Sequence, residues 1–304
     1  MSLHVDSHGG GGDPLLFIHG WGMHGGMWGG VLSQLAQHFQ VMAVDLPGHG
    51  SSSRSQDLDR AGLPRTTNGL HPKLLREGLR IEEEEVGTNS ELNLDAIVDK
   101  LSAQFTEPLT VCGWSLGGQV ALRWAMRYPQ QVSRLVLVSS TPCFVQQAGW
   151  PCAMAADTLA AFSAALQQDY ASTLRRFLAL QVRGSEQERE QLLTLRASLA
   201  SRGEPDLAAL QSGLEILRDV DLRDALPQIS TPVLVIAGVR DTLTPMPASQ
   251  YLATQMPHAR LAAIEGAAHA PFLSHPDEFV KHVAGFLHEL EKSSCPQIKQ
   301  ITQD

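Results

Sequence analysis

Six short apolar runs punctuate the chain: Leu15 to Ile18, Val41 to Val44, Leu109 to Cys112, Leu135 to Val138, Val233 to Ala237 and Leu261 to Ile264. Each has the length of a strand, is rich in Val, Ile and Leu with little polar alternation, and ends at a polar or glycine-containing loop. Strands of that kind must be covered on both faces. Between them lie apolar positions at helical spacing, such as Val120, Leu122, Trp124 and Ala125, or Phe279, Val283, Phe286 and Leu287. The alternation predicts an α/β fold with a mostly parallel, doubly wound sheet.

Two segments break the rhythm. Residues 51–90 are rich in Arg, Asp, Asn, Pro and Gly and carry the acidic run Glu82 to Glu85, so a surface insertion with no assigned chemistry is expected there. From about Pro142 to Ala225 four helical patterns follow one another without a strand: Leu159, Phe162, Leu166; Leu174, Phe177, Leu178; Leu192, Leu195, Leu199; and Leu207, Leu210, Leu214, Leu217. These predict a helical cap inserted between two sheet strands. The expected organisation is a core of 1–141 and 226–290, a cap of 142–225 and a flexible tail of 291–304. The 304 residues suffice for one large α/β domain with such an insertion.

Charge narrows the partners. Lys and Arg number 23 against 32 Asp and Glu, a net charge of −9, which argues against nucleic acid and anionic membrane as ligands. The stretch Met1 to Pro14 lacks the basic start and apolar run of a secretory signal, and no run approaches the roughly 18 apolar residues of a membrane span. A cytoplasmic monomer is expected. Cys112, Cys143, Cys152 and Cys295 form no CxxC pair and no metal-ligand spacing with His, so neither a metal site nor a function for cysteine is expected.

The strongest chemical signal is Gly113-Trp114-Ser115-Leu116-Gly117-Gly118, a GxSxG that follows an apolar run and precedes a helical pattern. That context predicts a strand–turn–helix elbow that projects the Ser115 hydroxyl over the sheet edge. A serine hydroxyl is a weak nucleophile and needs a base and a group to orient that base. Asp241 follows the run Val233 to Ala237, and His269 follows Leu261 to Ile264, so both leave strand ends, where open parallel sheets gather their ligands. The order Ser115, Asp241, His269 is that of a hydrolase triad. Asp219, Asp221, Asp224 and His275 are weaker candidates because they lack the strand-end context. A fourth element, Phe17-Ile18-His19-Gly20-Trp21-Gly22, runs a strand into a glycine turn. It assigns the second oxyanion donor to the backbone N–H of Trp21, beside that of Leu116, and leaves His19 a structural hydrogen-bonding role.

Together the strings HGWG, DLPGHGSS (Asp45 to Ser52), GWSLGG, the segment around Asp241 and GAAHAPFLSHP (Gly266 to Pro276) resemble the α/β-hydrolase superfamily over most of the chain. The pair HGWG and GWSLGG, the cap string Arg176-Phe177-Leu178-Ala179-Leu180-Gln181, the segment Gly213 to Leu217 and AAHAPF resemble more narrowly its pimeloyl-[acyl-carrier protein] methyl ester esterases of biotin synthesis. The resemblance implies an α/β-hydrolase fold with a helical cap, no cofactor, and hydrolysis of a methyl ester carried on acyl carrier protein or of small esters. It also implies substrate contacts from Trp21, Ser115, Leu116, His269 and the run Phe177, Leu178, Ala179, Leu180 and Gln181. Independently, Tyr170 to Arg202 holds six arginines against three glutamates in a chain that is otherwise acidic. An acidic carrier protein would be steered there, with Arg175, Arg176, Arg183 and Arg189 as its contacts; the competing expectation is that these arginines pair with the interleaved glutamates. The same residues leave open a general short-chain carboxylesterase, or a non-catalytic binding protein of this fold.

Overall fold

A computed structural model describes residues 2–52 and 92–294. Nearly all of the insertion expected at 51–90, and positions 295–304 of the expected tail, lie outside the described residues. The strands are β1 (Val5–Gly9), β2 (Pro14–Ile18), β3 (Gln40–Val44), β4 (Leu109–Trp114), β5 (Val132–Val138), β6 (Val233–Gly238) and β7 (Ala259–Ile264). They form one sheet in the order β1-β3-β2-β4-β5-β6-β7, parallel throughout except for β1, which runs antiparallel to β3 at one edge. Every residue of β4 and of β6 is buried, so both faces of the central sheet are covered, as an apolar strand without alternation requires.

The parallel doubly wound sheet matches the expectation, and all six apolar runs lie in strands. Strand β1 was not expected. Its sequence, Val-Asp-Ser-His-Gly, has no apolar run, and its residues are half-buried or exposed because it pairs through ladder bonds at an edge rather than by burying a face.

Helices α1 (Gly30–Leu35), α2 (Leu94–Gln104) and α3 (Leu116–Arg127) precede β5. The start of α2 is fixed by Asn93, whose side chain accepts the amide of Ala96 at 2.9 Å. Between β5 and β6 the chain runs through α4 (Ala156–Gln168), α5 (Tyr170–Val182), α6 (Glu188–Arg202) and α7 (Leu207–Asp219) with no strand longer than an isolated bridge. Asp169 starts α5 by accepting the Ser172 amide at 3.1 Å. These helices turn Leu174, Phe177, Leu178, Leu195, Leu210 and Leu214 into the same apolar cluster that holds Trp21 and Leu116, so they pack directly on the strand-end loops, while Cys143 and Trp150 form a smaller cluster with Ala248 of the core. After β6 come α8 (Met246–Gln255), the short α9 (Pro271–Ser274) and α10 (Pro276–Ser294), which extends into the segment expected as tail and buries Phe279, Val283, Phe286 and Leu287. No described helix is long and apolar enough to cross a membrane.

Candidate active site

Ser115 sits between β4 and α3 at φ 55° and ψ −118°, a conformation that costs a non-glycine residue energy and persists only where its surroundings enforce it. Here its amide donates to the Val138 carbonyl at 2.9 Å, and its carbonyl accepts both the Gly118 amide and the Ser140 hydroxyl, each at 2.9 Å. Two residues on, a Cβ at Gly117 would stand 2.4 Å from the Ile18 carbonyl, so any side chain there would push α3 off β2 and relax the turn. Leu116 opens α3, and its amide therefore has no intrahelical acceptor.

The aspartate and histidine come from neighbouring strand ends. A Cβ at Gly238, the last residue of β6, would lie 2.1 Å from the Ala268 carbonyl; only glycine lets the two loops approach so closely. As a result His269 Nδ1 donates to Asp241 Oδ2 at 2.7 Å, with both side chains buried. The second carboxylate oxygen accepts the amides of Leu243 at 2.8 Å and Thr244 at 3.0 Å. The Thr244 hydroxyl donates to Oδ2 at 2.6 Å and lies 3.3 Å from His269 Nδ1, so three donors of its own loop hold the carboxylate while it accepts from the imidazole. Among the described residues the opposite ring nitrogen, Nε2, is buried without a hydrogen-bond partner, and no hydrogen bond joins it to the Ser115 hydroxyl. The ring itself is set against Trp114, whose indole N–H donates to the His269 carbonyl at 2.8 Å and whose ring centre lies 6.0 Å away.

The loop carrying Trp21 abuts the serine: a Cβ on Gly20 would be 3.2 Å from that of Ser115. His19 anchors the near end of this loop. Its Nδ1 donates to the Gly20 carbonyl at 2.8 Å and its Nε2 accepts the Leu46 amide at 2.9 Å, the structural role expected from sequence. Burial pushes His19 down to about 3, so this bridge is made by a neutral ring. The far end is anchored by Asp45, fully buried, which accepts the Gly25 amide at 2.6 Å and the Ser51 amide at 2.8 Å. Burial alone would raise the Asp45 carboxyl; the Gly25 and Ser51 amides and the Arg202 charge hold it below the usual carboxylate range.

The expected substrate residues divide by helix face. Phe177 packs edge-on against Trp21, ring centres 4.6 Å apart, while the Trp21 indole N–H donates to the Leu210 carbonyl of α7 at 2.8 Å. Gln181 is buried, and its carbonyl accepts the backbone amide of His269 at 3.1 Å, a direct tie from cap to the loop after β7. Leu178 is buried in the apolar cluster. Ala179 and Leu180 instead line a groove of about 520 Å³ between α4 and α5, with Ala161, Phe162 and Ala165 opposite and Arg176 and Arg183 along the same helical stripe.

Of the expected carrier contacts, Arg175, Arg176, Arg183 and Arg189 are exposed. Arg175 and Arg176 donate to the hydroxyls of Ser172 and Thr173, while Glu186 pairs with Arg240 and Glu188 accepts the Gly184 amide. Two of the interleaved glutamates are thus engaged elsewhere. Arg202, counted in that basic stretch, turns inward to Asp6 and Asp45. The weaker candidates fall away from the site: Asp219 pairs with Arg218, Asp221 with Arg223, and His275 meets the Ser274 hydroxyl. Sequence reasoning did not single out Thr244, His24 or Arg202, and Asp45 entered only as part of a motif.

A parallel sheet with a serine elbow at one strand end and an Asp–His pair at two others, all beneath a helical cap, defines a hydrolase architecture. The chain belongs to the α/β-hydrolase fold family, whose model matches residues 13–276. Within it the chain groups with the pimeloyl-[acyl-carrier protein] methyl ester esterases. It is 42% identical over 279 residues to the protein of that name from Nitrosomonas europaea, covering 92% of this chain and 97% of the relative. The namesake from Aeromonas salmonicida is 37% identical over 287 residues, covering 94% and 100%. Among solved structures, an esterase from Exiguobacterium antarcticum superposes with a TM-score of 0.74 over 94% of this chain and 95% of its own, at 23% identity, a likeness of fold.

Two expectations follow. Thr244→Val removes one donor from Asp241 at constant shape, and kcat should fall about 10-fold with KM little changed, while Thr244→Ser restores it; steady-state kinetics on a small ester check this. Burial keeps His24 and His49 as well as His19 below the ordinary histidine value, and Asp45 is held low. Depressed groups contribute stability above their unfolded values and lose it as the pH falls. Thermal melts should therefore show stability declining from about pH 6.5 and more steeply below about pH 4.

Proposed function

We propose that the chain is a serine carboxylesterase that hydrolyses the methyl ester of pimeloyl-[acyl-carrier protein] to the free ω-carboxylate and methanol, a step of biotin synthesis. The observation that carries the chemistry is the buried imidazole oriented by Asp241, with its other nitrogen unsatisfied among the described residues, on a loop that leaves the same edge of the parallel sheet as the Ser115 elbow. The name shared by relatives aligned over nearly the whole chain carries the substrate.

Rotation of the Ser115 hydroxyl toward Nε2 starts the reaction. His269 takes the hydroxyl proton as Oγ bonds to the ester carbonyl carbon, and the resulting oxyanion is received by the amides of Trp21 and Leu116. Collapse breaks the bond to methoxide, which leaves as methanol with the proton from His269. Water then repeats the sequence on the acyl-enzyme, with His269 again as base, and frees Ser115. The imidazolium formed twice in the cycle is stabilised by a carboxylate that three other donors, the Leu243 and Thr244 amides and the Thr244 hydroxyl, hold in place.

The groove between α4 and α5 supports the carrier-linked substrate. Its apolar lining of Ala161, Phe162, Ala165 and Leu180 suits a methylene chain, and Arg176 and Arg183 outnumber Glu188 among its charged lining residues, which leaves it net positive. Phe162 continues it inward, its ring centre 5.5 Å from that of Trp21. In this reading the cap is 142–225 and the core 1–141 with 226–290. Arg175, Arg176, Arg183 and Arg189 meet the acidic carrier, and the enzyme works as a cytoplasmic monomer.

Ser115→Ala should lower kcat/KM for any ester by at least about 10⁴-fold and leave the melting temperature nearly unchanged. Stoichiometric labelling of the wild type at Ser115 by an organophosphate checks the nucleophile directly. Reversing Arg176 and Arg183 to Glu should raise KM for the carrier-linked ester about 10-fold or more and change a short p-nitrophenyl ester less than about 2-fold. Equal effects on both substrates would remove the carrier assignment.

A further inference from the structure

The loop that bears Trp21 belongs to the core, yet the contacts that fix its far end come from the cap. Arg202, the last residue of α6, places Nη1 3.2 and 3.1 Å from the two oxygens of Asp45 and its other terminal nitrogen on Asp6 of β1. Asp45 in turn accepts the Gly25 amide at 2.6 Å. One turn earlier on α6, the Ser198 carbonyl accepts His24 Nε2 at 2.9 Å, and its hydroxyl reaches the Gly26 carbonyl at 3.4 Å. The His24 ring is locked from its other nitrogen by the Gly26 amide at 3.1 Å. Gly26 leaves no spare room, since a Cβ there would stand 3.1 Å from both Arg202 Nη2 and the His24 ring.

Both ends of the Trp21 loop are therefore pinned to one short stretch of backbone after β3. His19 binds the Leu46 amide at the near end, and Gly25 binds the Asp45 carboxylate at the far end. Asp45 is fully buried, and Arg202 is the only cation that ion-pairs with it among the described residues. Burying a charged pair adds little net stability, because desolvation offsets the attraction; what such a pair does supply is a single fixed geometry. An oxyanion hole needs that, since its donors must be in place before charge develops.

We propose that Arg202 is a positioning residue for the oxyanion hole: through Asp45 it sets the Trp21 loop, so that cap helix α6 and the hole are assembled as one unit. Arg202 touches no reacting atom. It acts through Asp45, Gly25 and the loop backbone, and a cap displaced from the core leaves the Trp21 amide unplaced. The proposal deepens the esterase reading and rests on it.

The test compares wild type, Arg202→Met and Arg202→Lys on a short p-nitrophenyl ester, with affinity for an alkyl trifluoromethyl ketone, whose adduct with serine carries an oxyanion, and with melting temperature. A misplaced donor should lower kcat of Arg202→Met about 10- to 100-fold with KM within about 2-fold, and weaken the ketone in proportion to kcat/KM. Arg202→Lys keeps the charge between the aspartates and should recover part of the loss; it also carries the test if the Met variant does not fold. Unchanged kcat and ketone affinity with only a lower melting temperature would overturn the proposal, as would a KM rise that accounts for the whole loss. Labelling of wild-type Ser115 by the organophosphate is the control that separates failure of the esterase reading from failure of this one.

Discussion

The strained backbone at Ser115 is the constraint around which the molecule is arranged. A serine at φ 55° holds that conformation only because β4 and α3 are clamped on either side of it, by the Val138 carbonyl, the Ser140 hydroxyl and the close approach of Gly117 to β2. The clamp needs a continuous parallel sheet behind it, which explains why β4 is buried on every residue and why α3 packs on both β4 and β5. Once the elbow is fixed, parallel topology delivers the partners. Every strand of the parallel set points its C-terminal end the same way, so loops after β6 and β7 reach the same edge as the loop after β4.

What could be read in the sequence follows from that topology. A strand covered on both faces needs an unbroken apolar run, so β2 to β6 each leave a local signature; β7, at the opposite edge and exposed at Arg260 and Ala263, leaves one as well in Leu261 to Ile264, and a residue just past such a run is already placed at the sheet edge. Ser115, Asp241 and His269 could be located for this reason, although they lie far apart in the chain. Strand β1 left no such trace because Val-Asp-Ser-His-Gly holds no apolar run and pairs through its ladder bonds to β3 alone. Thr244 was equally silent: a threonine before a proline has an ordinary turn reading, and its role depends on the Asp241 carboxylate folding back over the turn to meet it.

Arginine shows the limit most clearly. Along the cap the six arginines from Arg175 to Arg202 look alike as letters, and counting charge treats them as one patch. The fold sorts them by helix phase and position. Arg176 and Arg183 share a stripe with Ala179 and Leu180 and face the groove, whereas Arg202 ends α6 where the helix meets the core and turns its guanidinium to Asp45, 157 residues away in sequence. No periodicity within the cap predicts a partner at that separation.

This division also bears on how a cap can serve catalysis without carrying a reacting group. Three of its helices contact the core at loops that matter: α5 through the Gln181 carbonyl to the amide of His269, α6 through Arg202 and Ser198 to the Gly25 end of the Trp21 loop, and α7 through the Leu210 carbonyl to the Trp21 indole. Each contact is polar, directional and at the edge of an apolar interface, so the hydrophobic cluster supplies the adhesion while the hydrogen bonds select one seating of the cap over others of similar buried area. A cap held by apolar area alone could slide by a side chain's width at little cost. One tied through three helices to two loops cannot do so without disturbing the His269 loop and the Trp21 loop together, so helices that line the groove also hold in place the residues proposed as base and oxyanion donor.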